Sequence, residues 1–479
     1  MPKETVRTDN SYRILLLIHL VPPTVPQYLA IKDNIATTHH PTTCASGILQ
    51  NYKSPFDASI LRIFRHKYVM VGKTNMDEFG MGSHSTNSLF GPVHNNHPYE
   101  HLSAGGSSGG SAVAVASGQC DIALGTDTGG SVRLPAAYTG IVGYKPSYGL
   151  VSRWGVVPYA NSLDCVGFLA QSAEKSRLFD PWDSKDPTSV SPKARARMRE
   201  NLDIVNAEAM TASGVEYQLK IGLPIEYNIA ELDPGIRNAW QNLLTTLQAR
   251  GCIIVPISLP HTKIALSAYY IIAAAEAASN LSKYDGVRYG HRVSPTDSGG
   301  DVLYSETRGR LFGSEAKRRI LLGSYTLSSD AIDNYFIKAQ KVRRLVQRDF
   351  DSVFRLQNPL RPPQQFDLSD MDEAIPLDSK LGPSQVDFII CPTAPTLAPT
   401  LDSVAQQTPL DSYVNDVFTV PASLAGLPAI SIPVPIAKDI APADMPHFAG
   451  MQIIGQYSDD ERLLSLAIKI ETLLQGMSA

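Results

Sequence analysis

Residues 104–133 read AGGSSGGSAVAVASGQCDIALGTDTGGSVR, two clusters of glycine and serine (105–111 and 125–131) around a run of small apolar residues. Each residue type brings its own chemistry. Glycine lets backbone approach a reacting atom closely and accepts positive φ. Exposed N–H groups on a glycine turn cradle an anion, and a serine hydroxyl attacks or relays a proton. Gly-Ser runs also make flexible linkers. Here each cluster runs straight into core-like sequence, at 112–116 and at 132–135. The stretch therefore reads as two serine-bearing turns whose hydroxyls a short buried segment brings together.

A serine nucleophile needs a base. No histidine lies within either cluster, which weakens a Ser-His-Asp hydrolase reading, although distance along the chain does not exclude one. Serine–lysine chemistry is the other option. A lysine among small uncharged neighbours loses solvation of its ammonium form, its pKa falls, and the neutral amine takes a proton. Lys32, at a strand end beside Asp33 and Asn34, is one candidate; Lys73 and Lys145 are others, and spacing does not choose between them. His84, His94, His97 and His101 crowd one stretch, but their spacing matches no standard ligand motif. Asn95, Asn96 and Pro98 spell irregular surface there, so a loop rather than a metal site is expected.

The elements that position these residues alternate. Residues 28–31 read as a short strand, 57–64 have helical spacing and 66–71 form a second strand, a β-α-β unit. A helix of small residues over 111–117 and buried strands at 122–124, 140–146 and 167–169 follow. Polar, proline-bearing sequence at 177–201 reads as a connection, and its basic run, 193–199, as a solvated helix face. An amphipathic helix over 236–249, a strand at 252–256, a long Ala-rich helix over 262–282 and two helices within 314–357 come next. Residues 358–385 read as an exposed insertion, 388–391 and 418–436 as core, and 461–474 as a closing helix. Alternation of this kind indicates an α/β layered fold.

Composition narrows the class. The chain has 479 residues, 43% hydrophobic and only 18% charged, which favours one large unit over several small ones. A net charge of −4 gives no basic bias for holding nucleic acid directly. Five scattered cysteines without a C-x-x-C pair fit a reducing compartment. The apolar run at 14–21 is too short to span a bilayer and lacks a cleavage site after it, so targeting is not readable from the N-terminus; no membrane partner is expected.

Three motifs in order, GGSSGGS at 105–111, GTDTGGS at 125–131 and GYKP at 143–146, resemble the amidase signature family. That resemblance implies a layered α/β/α fold with a central mixed sheet covered by helices on both faces. It also implies a Ser–cis-Ser–Lys triad: Lys32 in the Lys-Asp-Asn turn, Ser107 entered through a cis peptide bond, and Ser131 as nucleophile. Backbone N–H groups of Thr128, Gly129, Gly130 and Ser131 then meet the oxyanion. Lys73 is expected to be structural, and Asp127 and Arg133 to brace the loop.

Within the family, GKTNMDEFGMGS at 72–83, ASNL at 278–281 with DGVRYG at 285–290, RRILLG at 318–323, and NDVFT at 415–419 leading into LAGLP at 424–428 resemble the glutamine-hydrolysing chains of glutamyl-tRNA(Gln) amidotransferases. By local motif, the glutamine-reading residues of such chains fall on Tyr270, Arg319 and Asp416, with Tyr269 and Arg318 as near alternatives. The implied activity is glutamine hydrolysis without metal or organic cofactor. The implied partners are a B-type subunit, which uses ATP and Mg to convert Glu-tRNA(Gln) to Gln-tRNA(Gln), and a small third subunit; tRNA is reached through the complex. MGSHST at 81–86 and FGPVH at 90–94 look like fungal mitochondrial forms, which implies the mitochondrial matrix. Residues 1–27 do not resemble the usual helical N-terminal region and read as an atypical segment, a truncated or misassigned start, before a single domain over 28–479. The alternatives are a free-standing amidase for another small carboxamide and, from another class, a non-catalytic scaffold. Intact Lys32, Ser107 and Ser131 argue against the scaffold.

Overall fold

The computed structural model describes residues 26–178, 180–211, 218–293, 303–361, 385–437, 440 and 445–478. The atypical segment up to residue 25 and positions 362–384 of the expected insertion lie outside the described residues.

Among the described residues ten strands build one sheet: β1 Gln27–Lys32, β2 Tyr68–Thr74, β3 Ile122–Asp127, β4 Val142–Lys145, β5 Cys165–Ala170, β6 Lys220–Pro224, β7 Ile253–Ile257, β8 Phe388–Pro392, β9 Ala429–Pro435 and β10 Phe448–Ile454. Their order is β2-β1-β3-β5-β4-β9-β10-β8-β6-β7. The two ends, β2-β1-β3 and β8-β6-β7, pair in parallel, and the strands between them pair antiparallel, so the sheet is mixed.

Residue size alternates along the strands and sets the layers. Ala30, Ala123 and Leu169 pack with Ala112 and Val115 of the Gly109–Ala116 helix. Leu29, Ile31, Ile122, Leu124 and Phe168 belong instead to the larger core. Small residues let helix and sheet approach closely. At Gly143 an added Cβ would lie 2.5 Å from the Ala136 Cβ, on the Arg133–Thr139 helix. The next residue, Tyr144, bonds Asp460 at 2.6 Å, where the closing helix Asp460–Ser478 begins. Successive strand residues point to opposite faces, so helices cover both.

Several expectations need correcting. The β1–β2 connection does return in parallel, but its Ser59–Ile63 segment is a 3-10 helix, since so short a piece between turns completes no α-helical span. The polar stretch expected as a connection holds the helix Pro192–Thr211, with proline at its start. Most of its basic run faces solvent, as expected, while Arg195 caps Val190, Asp180 and Leu150 carbonyls. Strands β6 and β10 fall outside the expected elements; both are short apolar runs without a clear period. The Ala-rich segment divides into a 3-10 turn, Pro260–Ile264, and the helix Ala265–Leu281. By length and composition Pro260–Leu281 would span a membrane. Its apolar character has another source: it packs against the Ser314–Thr326 and Lys338–Val353 helices, with Ala268, Ile272 and Ala275 buried.

Candidate active site

Lys32 ends β1 and is fully buried. Its Nζ lies 2.7 Å from Ser107 Oγ, 2.8 Å from Ser108 Oγ and 3.3 Å from the Thr126 carbonyl. Burial pushes its pKa down to about 7, with Asp77, Asp127 and Asp164 opposing the fall. A neutral amine is thus accessible near neutral pH. The Gly106–Ser107 peptide is cis. Gly106 presses on Asp77, where an added Cβ would meet the carboxylate at 2.3 Å. Asp77 in turn accepts the Ser85 and Asn87 N–H groups at 2.9 and 3.0 Å, pinning the 83–87 loop under the first serine cluster.

The two clusters meet where the Ser108 N–H donates to the Ser131 carbonyl at 3.1 Å. Ser131 is half-buried, and its hydroxyl has no hydrogen-bond partner among the described residues. Neither do the N–H groups of Thr128, Gly129, Gly130 and Ser131, so four donors remain open on one turn. That turn is fixed from outside. Thr128 Oγ1 donates to Asp164 at 2.7 Å, and Thr419 Oγ1 donates to the Gly129 carbonyl at 2.6 Å. Gly130 has φ +150°, and a Cβ there would meet Thr419 Oγ1 at 2.3 Å. Beneath it Arg133 and Asp127, both fully buried, pair at 2.9 Å, and Asp127 also accepts the Val132 N–H at 3.1 Å. Such a buried pair fixes geometry.

The other lysines go elsewhere. Lys73 Nζ donates to the Ile35 carbonyl at 2.5 Å and faces Asp33 at 3.6 Å. Lys145 is buried with its Nζ on the Pro146 carbonyl at 3.0 Å. Of the histidines, His84 sits inside between Ser103 and Asn415, at 2.9 and 3.1 Å, whereas His97 is at the surface with Glu100. Burial pushes the His84 pKa down to about 4, which keeps it neutral. Among the described residues no three His, Cys, Asp or Glu side chains gather to hold a metal.

A second group of residues faces the turn from the helical side. Asp416 is buried; its Oδ2 accepts Tyr270 OH at 2.8 Å and Ser83 Oγ at 3.0 Å. Its Oδ1 lies 3.4 Å from where a Gly130 Cβ would stand and has no hydrogen bond among the described residues. Burial raises the Asp416 pKa to about 6. Tyr270 stacks on Tyr413 with centroids 3.9 Å apart, and Arg319 lies 5.2 Å from the Tyr270 ring centre. Arg319 Nε donates to Glu315 at 2.7 Å and Nη1 to Tyr159 OH at 2.6 Å; Nη2 has no partner among the described residues. Arg318 is half-exposed and pairs with the same Glu315. Arg319, not Arg318, is therefore the arginine that faces this group. The two tyrosines divide the wall. Tyr270 bonds Asp416, while the Tyr269 ring fills the space at Gly129, 2.5 Å from an added Cβ. A cavity of about 900 Å³ is lined by Asp164 together with Trp154, Tyr284 and Arg288, but not by Lys32, Ser107, Ser131, Tyr270, Arg319 or Asp416.

Sequence reasoning missed Ser83, Tyr159, Asp164, Glu315 and Tyr413. Ser83 lies 333 residues from Asp416, and spacing carries no signal across such a gap.

Residues 28–464 match the family described as Amidase. The chain belongs to the amidase family. The A subunit of the mitochondrial glutamyl-tRNA(Gln) amidotransferase from Fusarium vanettenii is 58% identical over 457 residues, 93% of this chain and 86% of that protein. Its counterpart from Podospora anserina is 59% identical over 455 residues, 92% of this chain and 88% of that protein. Among solved structures, the A subunit of the Thermotoga maritima glutamyl-tRNA(Gln) amidotransferase matches with a TM-score of 0.67 at 34% identity, covering 93% of this chain and 83% of that one.

Proposed function

We propose that this chain hydrolyses glutamine and supplies the ammonia to a partner subunit that converts Glu-tRNA(Gln) to Gln-tRNA(Gln). The observation that carries this reading is the buried Lys32–Ser107 contact beside a turn with four open N–H groups. Neutral Lys32 takes a proton from Ser107 Oγ while Ser107 takes one from Ser131 Oγ, and Ser131 attacks the carboxamide carbon. The oxyanion is met by N–H groups of the Thr128, Gly129, Gly130 and Ser131 turn. The proton returns along the same relay to the leaving nitrogen, and the C–N bond breaks. Ammonia leaves, water cleaves the ester to glutamate, and Ser131 is restored.

At the far end, Arg319 Nη2 receives the α-carboxylate and Asp416 Oδ1 the α-ammonium of glutamine, each a charge-assisted bond. Tyr270 holds Asp416 in place. Hydrolysis needs no metal or organic cofactor; ATP and Mg serve the B-type subunit, and a small third subunit completes the assembly. The mitochondrial relatives support residence in the mitochondrial matrix.

The test is ammonia release from glutamine by the chain, alone and with its partner subunits and Glu-tRNA(Gln). The expected result is release that rises with the partners and falls about 10⁴-fold or more in Ser131→Ala. Ser131-dependent turnover of other amides but not of glutamine would replace this reading with a free-standing amidase.

A further inference from the structure

One turn, residues 159–164, touches both ends of the site. At the amide end, Asp164 Oδ1 accepts Thr128 Oγ1 at 2.7 Å. At the recognition end, Tyr159 OH accepts Arg319 Nη1 at 2.6 Å. Between them the turn closes on itself, with Asp164 Oδ2 accepting the Tyr159 and Ala160 N–H groups at 2.9 and 3.0 Å. A continuous path of short bonds thus runs from the open N–H turn to the arginine.

The same turn is clamped from behind. Glu276 accepts the Ser162 N–H and hydroxyl at 2.9 and 2.5 Å, and Asn280 donates to the Tyr159 carbonyl at 3.0 Å. Arg343 donates to the Ser162 carbonyl at 2.8 Å. Glu276 and Asn280 stand on the Ala265–Leu281 helix that also carries Tyr269 and Tyr270. Asp164 and Tyr159 are buried, so little solvent competes for these bonds.

We infer that the 159–164 turn is a spacer that fixes the distance between the Thr128–Ser131 turn and Arg319, and that this distance selects glutamine over its one-methylene-shorter homologue, asparagine. The inference rests on the glutaminase reading above and names what sets substrate length in that site. Asparagine anchored on Arg319 holds its carboxamide one methylene short of Ser131. Asparagine seated at Ser131 leaves Arg319 Nη2 without a carboxylate to bind. A rigid spacer makes both losses unavoidable, whereas a loose one lets the two ends approach. Tyr159, Asp164 and Glu276 act as positioning residues, since none is assigned a contact with substrate.

The experiment measures kcat and KM for glutamine and for asparagine with the assembled complex, comparing wild type, Tyr159→Phe and Glu276→Gln. A site that reads one methylene discriminates by about 10- to 200-fold, so wild type is expected to prefer glutamine by at least that range. Tyr159→Phe is expected to raise the glutamine KM about tenfold with little change in kcat. In both variants the glutamine-to-asparagine ratio of kcat/KM falls about tenfold, and neither inverts it. Glu276→Gln, remote from substrate, guards against a local effect at Arg319, and the near-wild-type kcat shows that each variant is folded. Equal losses for both substrates, or an unchanged ratio, would overturn the spacer while leaving the glutaminase reading in place. A wild-type complex without preference for glutamine would likewise overturn the spacer alone, whereas turnover of asparagine but not of glutamine would overturn both.

Discussion

The two ends of the site are built in opposite ways. The nucleophile end consists of strand ends and glycine turns within residues 32–133, and its working groups are neutral or open: a lysine of depressed pKa, and a serine hydroxyl and N–H groups without partners among the described residues. The recognition end brings together residues from 83 to 416, and its groups are charged and already paired, as in Arg319 with Glu315 and Asp416 with Tyr270. A reacting end needs groups free to exchange protons and to receive an oxyanion that exists only in passing. A binding end needs charges held in place before the ligand arrives, so that little ordering remains to be done. The distinction gives each end its own signature under mutation.

At the nucleophile end the largest effect after loss of Ser131 itself is expected from Lys32→Met. Turnover falls about 10³-fold, within the range for removing a general base, while KM for glutamine stays near wild type. Thermal stability does not fall, because burying the ammonium-forming side chain is unfavourable and methionine is not. A large rise in KM instead would blur the division between the ends.

Arg319→Ala comes next and should show the reverse pattern. Losing a buried partner of the substrate carboxylate costs about 100-fold in kcat/KM, chiefly through KM. Steady-state kinetics with a carboxamide that lacks an α-carboxylate sharpen this test, since the variant and wild type should then differ little.

The pH profile separates the ends without disabling either. Lys32 must be neutral to accept a proton, so turnover rises with pH through about 7. Asp416 must be ionised to hold the ammonium, and its carboxyl is charged above about 6. Both requirements act in the same direction, so kcat/KM drops with two protons at low pH. In Asp416→Asn the lower inflection disappears and the one near 7 stays. Persistence of both inflections would remove Asp416 from substrate binding.

The smallest effect on catalysis is expected for Lys73→Met. Lys73 braces Asp33 and the Ile35 carbonyl outside the relay. Its loss leaves Asp33 buried without its cation and destabilises the fold by about 3 kcal/mol, read by denaturant unfolding, with kcat of the folded fraction unchanged.

Much of the nucleophile end was legible in the sequence because the features that build it are local. Glycine marks close approach, serine marks the hydroxyl, and the two clusters are consecutive. Even there spacing left Lys32, Lys73 and Lys145 open, since what separates them is which carbonyl or hydroxyl each reaches across the sheet. The resemblance to amidase-signature proteins pointed to Lys32, the lysine found against Ser107. The recognition end was legible only through resemblance. Tyr270 and Asp416 are 146 residues apart, Arg319 and Tyr159 160, and no periodicity encodes such pairings. The α/β layering followed from alternating patterns, while β6 and β10 escaped because short apolar runs have no readable period. Of the helix at Pro192–Thr211 only the basic face over 193–199 was legible as helical; the rest escaped because its polar composition resembles a linker until Pro192 is taken as a helix start.

The most direct measurement is intact-protein and peptide mass spectrometry after rapid acid quench of the chain, in its complex, during turnover of glutamine. A glutamyl ester on the peptide that carries Ser131 is expected in wild type and not in Ser131→Ala. Turnover of glutamine with no acyl adduct at Ser131, or with the adduct on Ser107 or another residue, would contradict the Ser131 mechanism.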